Sequence, residues 1–196
     1  MYSRLDIINE MIVSTGARPL TAEQSRHPLY MKAEQLLDRV QASVQAVGLW
    51  FNTEVRDIEP QSNGEVIVPQ GCIKADPVDR HCNLTLRSSK MYNLDTGNFE
   101  VGETVRLKMI FEIALEDMPL AAQEYIRAKA VYTFYLNEDG ADPKLGNYRN
   151  ERDLGWQTLY REHLRNRQVN IFDNASNAVT SLRRGTGYGR WKPKVN

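Results

Sequence analysis

The hydrophobic pattern of this chain changes period twice, and that switch limits the fold more than any motif does. From Pro28 the apolar residues Leu29, Ala33, Leu36, Leu37, Val40, Val44 and Val47 step by three and four, which places them on one stripe of an α-helix of about five turns. Pro28 suits the first helical position, where its missing N–H costs nothing, and Gly48 suits the left-handed residue just past the end. In the middle of the chain the period shortens to two. The runs "GEVIVP" (64–69) and "NLTLR" (83–87) read as short strands, and in "TVRLKMIFEI" (104–113) Val105, Leu107, Met109, Phe111 and Ile113 alternate with mostly polar neighbours. Turn signals "LDTGN" and "VGET" separate the later runs. The spacing therefore predicts an antiparallel β-meander within about 64–113, too small to stand alone and expected to lie against helices.

Helical spacing returns on either side. Leu5, Ile8 and Ile12 define a short helix over about 3–15, with Ser3 as N-cap and Gly16 as stop. "EDMP" restarts helix after the insert: Asp117 can cap, Pro119 takes the first turn, and the segment to Leu136 carries Ala121, Ala122, Tyr125, Ala128, Tyr132, Phe134 and Tyr135, apolar on more than one face and so central. Asp142 then Pro143 repeat the device and open a helix to about Arg167, with Trp156, Leu159, Tyr160 and Leu164 as a packing stripe. Gly155 within it costs about 1 kcal/mol relative to alanine and marks close packing or a kink. Beyond residue 168 the chain turns to Asn, Ser, Thr and Gly and cannot build a core. The fold class expected is mainly α with a small β insert (α+β): a bundle of about four helices (3–15, 28–47, 118–136, 143–167) with its meander in one domain, 1–167, and an extended basic C-terminal arm, 168–196.

The charge balance sharpens the division. Lysine plus arginine equal aspartate plus glutamate at 25 each, yet from residue 161 onward eight basic side chains stand against Glu162 and Asp173. A cationic C-terminal third on an anionic body suits docking on acidic protein or contact with nucleic acid. Tyr188 and Trp191, set among Arg183, Arg184, Arg190, Lys192 and Lys194, read as anchors for another surface. No apolar run approaches a membrane span, and the N-terminus lacks a signal-peptide layout. Cys72 and Cys82 are too few for a disulfide scaffold and read as small buried apolar residues. "RHCN" around His81 and Cys82 lacks the second ligand pair that a zinc site wants.

Catalytic readings fail on their own chemistry. Asp95-Thr96-Gly97 is the triplet of aspartic proteases, which need two carboxylates sharing a proton, but "MYNLDTGNFE" has the composition of a hairpin turn. "GTGYGR" (185–190) follows no strand and opens no helix, as a phosphate loop must. His27, His81 and His163 stand apart with no nucleophile in a motif. No enzyme and no cofactor are expected.

The string "AVGLWFNTEV" (46–55) leaves three possibilities for Leu49, Trp50 and Phe51: a base-stacking platform, a partner patch, or a plug in the protein's own core. Their position, where the chain leaves a long helix and must cover the bundle's end, favours the plug. A stacking platform would want interleaved basic residues, and the nearest is Arg56.

Four strings in order carry a family resemblance: "IINEMIVSTGARPL", "VQAVGLWFNTE" with Gly48, Trp50, Phe51 and Asn52, "MYNLDTGNFEVGETVRLKMIFEI", and "LEDMPLAAQEYIRAKAVYTFY". Together they cover about 5–136, and the chain resembles the tail tubular protein A family, the head-to-tail adaptors or gatekeepers of T7-like short-tailed phages. The resemblance implies a structural virion protein assembled in the host cytoplasm. It would form a homo-oligomeric twelve-subunit ring beneath the portal protein, carry the tail nozzle (tail tubular protein B), neighbour the tail fibres, and surround DNA without sequence-specific binding. In that setting Arg183, Arg184, Tyr188, Arg190 and Trp191 form an arm that docks on the portal or a neighbouring subunit. The competing reading is a nucleic-acid-binding protein that uses the basic C-terminal third as its footprint.

Overall fold

A computed structural model describes residues 2–21, 26–79, 81–140 and 142–185, with side chains through residue 167. Its elements are α1 (Arg4–Ser14), α2 (Pro28–Gln45), β1 (Thr53–Ile58), β2 (Cys72–Pro77), β3 (Leu84–Arg87), β4 (Lys90–Asn93), β5 (Val105–Phe111), a 3-10 turn (Leu115–Asp117), α3 (Leu120–Glu138) and α4 (Leu145–Gly185).

The helices form where the local signals put them. Ser3 caps α1 in a capping box: its Oγ accepts from the Asp6 N–H, and its own N–H donates to the Asp6 carboxylate. In α2, Pro28 takes the first turn and the His27 ring Nδ1 accepts from the Leu29 N–H. Two start signals act differently from expectation. Asp117 lies in the 3-10 turn, and Pro119 itself is the N-cap of α3, without a side-chain cap. The reason is steric: Met118, preceding a proline, is held extended at ψ 153 and cannot join a helix. Gln123 reaches back to bond the Met118 and Glu116 carbonyls instead. Asp142 accepts from the Lys144 N–H just ahead of α4 and from the Tyr135 hydroxyl at 2.7 Å. That bond, ahead of burial, pushes the Tyr135 pKa up to about 12. The helix expected to end near Arg167 runs on to Gly185, so the first part of the arm is helical.

The main core gathers Ile7, Ile8, Met11 and Ile12 of α1, Leu37, Val40 and Val44 of α2, Ile126, Val131 and Phe134 of α3 and Leu159 of α4. As the alanine-rich sequence implied, α3 is central, with residues buried against the helices around it. Gly155 is a close-packing glycine: a Cβ there would sit 3.3 Å from the Tyr125 Cα of α3.

The β part departs from the expected meander. β5 does not pair with β4; it lies between β1 and β2 in an antiparallel three-stranded sheet, while β3 and β4 form a separate hairpin. "GEVIVP" is not a strand. Val66 and Val68 are buried, yet their stretch touches the hairpin through isolated bridges and the bonds Met91 N–H to Val66 O and Val68 N–H to Ser89 O. β1 and β2 lacked an alternating signal because they are edge strands whose residues are mostly exposed. A second small core of Val66, Val68, Ala75, Met91, Val105, Leu107 and Met109 fills this region. Asp95 and Gly97 sit in the exposed turn after β4, where the Asp95 and Thr96 N–H groups donate to Asn93 Oδ1 and Gly97 takes φ +72. Cys72 and Cys82 are half-buried free thiols rather than core residues.

Candidate assembly surfaces

The helix-to-strand corner is built around Asn52, which is 1% exposed. Its Oδ1 accepts from the Leu49 N–H at 2.8 Å, and its Nδ2 donates to the Gln45 carbonyl at 3.0 Å and the Phe111 carbonyl at 3.1 Å. The Phe111 N–H closes the ring onto the Asn52 carbonyl at 2.9 Å. One side chain thus ties the Gln45 carbonyl at the end of α2, which also accepts from the Gly48 N–H, to the last residue of β5. Buried Gln45 continues the seam, accepting from the Ile113 N–H at 2.7 Å and donating to its carbonyl at 3.1 Å. Gly48 turns the chain at φ +76, and a Cβ there would lie 2.6 Å from the Ile110 Cδ1. The seam fixes how the sheet stands on the bundle, so any surface shared by the two has a set shape.

The "LWF" string divides by burial. Leu49 is 1% exposed, whereas Trp50 and Phe51 are half-buried and pack against the core's edge. Trp50 meets Phe51 edge-on at 5.2 Å and the His163 ring at 6.2 Å. His163 continues to Tyr160 at 6.1 Å, Tyr160 stacks on Trp156 at 5.7 Å, and Trp156 reaches Tyr125 of α3 at 5.2 Å. This aromatic row clips α4 to α3 and to the corner. Tyr160 and Leu164, expected to pack inward, are 45% and 41% exposed, so part of the α4 stripe faces outward. His163 Nδ1 is buried without a hydrogen-bond partner. Burial first, then the charges of Arg167 and Lys108, hold its pKa below the ordinary histidine value.

A second cluster joins three helices. Arg127 of α3, its side chain 12% exposed, bonds Glu10 of α1, Glu151 of α4 at 2.7 Å and Glu124 of α3 at 3.2 Å. Burial alone would lower its pKa, but the Glu151 bond and the charges of Glu10, Glu151 and Glu124 outweigh it and raise it. Burial, in turn, raises the Glu10 carboxyl despite Arg127. Beside this cluster a groove of about 420 Å³ runs between α3 and α4, its rim carrying Glu124, Glu151 and Glu162 and its apolar lining including Leu120 and Leu154. Leu120 and Leu154 are 58% and 63% exposed. Gly155 also lines the groove, where α3 and α4 approach so closely that a Cβ would meet the Tyr125 Cα at 3.3 Å.

Of the sequence-derived site residues, Gly48, Trp50, Phe51 and Asn52 come together at the corner, with Asn52 as its hydrogen-bonding centre. The backbone of Arg183 and Arg184 lies on α4; Tyr188, Arg190 and Trp191 lie outside the described residues. Sequence reasoning missed Arg127 and its carboxylates, because Glu10 and Arg127 are distant in the chain. It also missed that His163 bridges Trp50 to the α4 aromatics. The spacing of Trp156, Tyr160 and His163 was a usable signal for one aromatic face. Among the described residues no group of three or more His, Cys, Asp or Glu could hold a metal ion, and no helix is long and apolar enough to cross a membrane.

Comparison with known proteins places this arrangement. A family model described as tail tubular protein matches residues 5–169, which includes α1 from its second residue, all of α2 and α3, both sheets and the first part of α4. The chain is also 26% identical over 164 residues to tail tubular protein A of Klebsiella phage KP34, across 84% of this chain and 88% of that protein. With both sheets, the corner and most of the helical body inside the match, the chain belongs to the tail tubular protein family.

Proposed function

We propose that this chain is a structural protein of the virion tail whose copies close into a ring joining the portal to the tail nozzle around the DNA channel. The observation that carries the reading is the family match through residues 5–169. A ring requires a patch on one copy to dock on a different patch of the next, and an acidic body with a basic C-terminal segment from residue 161 supplies unlike surfaces on one chain. The ring has twelve subunits, with the portal above, tail tubular protein B as the nozzle below, and tail fibres as neighbours; it assembles in the host cytoplasm. The helical body packs laterally, the sheet faces the nozzle, and the arm with Arg183, Arg184, Tyr188, Arg190 and Trp191 makes its contact away from its own body. Gly48, Trp50, Phe51 and Asn52 hold the corner rather than a ligand. DNA slides through with loose backbone contact only, which suits an acidic or mixed lining. No catalytic step and no cofactor enter this role.

Electron microscopy of portal rings mixed with the full chain, or with a chain lacking residues 181–196, tests the reading. The full chain should add a ring and the shortened chain should not. Portal rings left bare by the full chain would overturn the adaptor role. The charge asymmetry favours one other reading, a dedicated nucleic-acid binder. Binding to random DNA that falls steeply between low and moderate salt would mark it, whereas an adaptor binds weakly throughout.

A further inference from the structure

We propose that the groove between α3 and α4 receives the C-terminal arm, residues 186–196, of a second copy of this chain. The proposal deepens the ring reading above and rests on it, since it names the contact that would link one subunit to the next.

The groove's chemistry calls for a basic, aromatic segment. Its rim carries the carboxylates of Glu124, Glu151 and Glu162 against one guanidinium, that of Arg127. That guanidinium is turned inward and already shared among three carboxylates. The surface seen by a partner is therefore negative. Leu120 and Leu154 add two of the most exposed large apolar side chains on the described residues. The arm "TGYGRWKPKVN" offers Tyr188 and Trp191 for the apolar floor and Arg190, Lys192 and Lys194 for the rim, with no acidic residue of its own. Aromatic anchors ringed by complementary charge are the usual make-up of a strong peptide contact.

Length decides whose arm it is. α4 continues to Gly185, thirty residues past Gly155 and twenty-three past Glu162, so the end of the helix stands about 45 Å from Gly155 and about 35 Å from the near end of the groove at ~1.5 Å per residue. Trp191 extends at most about 22 Å beyond Gly185, short of even the near end of the groove. A chain therefore cannot fold its own Trp191 back into its own groove, while the neighbour's groove is open to it. The long helix acts as a spacer that carries the arm away from its source, and the contact is head-to-tail, as ring closure requires.

The test places a photo-crosslinking amino acid at position 191 of the full chain. Equal amounts of normal and heavy-isotope protein are mixed, both free at high concentration and bound to portal rings, and crosslinked peptides are sequenced. The expected product joins the 191 peptide to peptides of 120–128 or 151–162, with mixed isotope pairs showing that the link is between chains. Leu154→Lys, at an exposed position, and Arg190→Glu, in the arm, should each cut that product about tenfold without moving the melting temperature. Links only to portal peptides, only within one chain, or to neither groove peptide in both preparations would overturn the proposal. Failure of any ring to add to the portal would instead strike the ring reading itself.

Discussion

Replacing Asn52 by alanine isolates the seam between bundle and sheet. The change removes three side-chain hydrogen bonds at a site that is 1% exposed. The Gln45 carbonyl keeps a bond from the Gly48 N–H, so losing Asn52 there costs about 1 kcal/mol, and a similar figure serves for the Phe111 carbonyl. The Leu49 N–H loses the partner that Asn52 supplies while buried, which costs up to about 3 kcal/mol. The sum, about 3–5 kcal/mol, is a large share of the stability of an ordinary domain and corresponds to a fall in melting temperature of about 10 °C for a chain of this size. Guanidinium unfolding followed by far-ultraviolet circular dichroism measures it directly. Asn52→Asp supplies the control, because it keeps the acceptor for Leu49 but turns a carboxylate toward two carbonyls. The folded pKa of that aspartate is raised above its unfolded value of about 3.9. Its deficit relative to the parent should therefore be largest at neutral pH and shrink as pH falls through the folded pKa. A loss under about 1 kcal/mol for Asn52→Ala would refute the reasoning, since it would mean that water serves these groups as well as Asn52 does.

Three further outcomes follow from the same structure. Gly48→Ala adds a left-handed penalty to a contact of 2.6 Å with buried Ile110, and should lower stability by about 2–4 kcal/mol in denaturant unfolding. Arg127→Met leaves Glu10 facing Glu124 and Glu151 without its cation, so the Glu10 pKa, already raised by burial, rises further; the variant should melt lower than the parent at pH 8 and recover part of the difference at pH 5, as Glu10 takes up a proton. His163 has a depressed pKa, so the stability tied to its neutral ring is present above the unfolded value near 6.5 and is lost as pH falls through the lower folded value. His163→Phe should accordingly flatten the decline in melting temperature between pH 7 and pH 5, and an unchanged decline would assign it to other groups.

Much of the helical frame was legible because helix signals are local. The stripe of α2, its Pro28 and Gly48 boundaries, the Ser3 cap and the multi-faced apolar content of α3 each arise within a few turns of chain, and each stands in the structure. The strand within 104–113 was also legible, since one buried face imposes alternation on it. Its partners were not. β1 and β2 are exposed edges with no period of their own, and the pairing of Thr53 with Ile110 closes a loop of more than fifty residues. "GEVIVP" misled for a related reason: burying Val66 and Val68 needs a core above them, not a strand beneath them.

The candidate surfaces divide along the same line. The charge of the arm, the aromatic content of "GLWF" and the corner glycine were determined by sequence alone, because composition and backbone handedness need no partner. Only the tertiary structure decided that Asn52 reaches Phe111, that Arg127 gathers Glu10 and Glu151 from two other helices, and that Leu120 and Leu154 are left at an acidic groove. Local periodicity states which face of an element must be covered. What covers it depends on contacts between residues far apart in the chain, which exist only once the helices and the sheet have closed on one another.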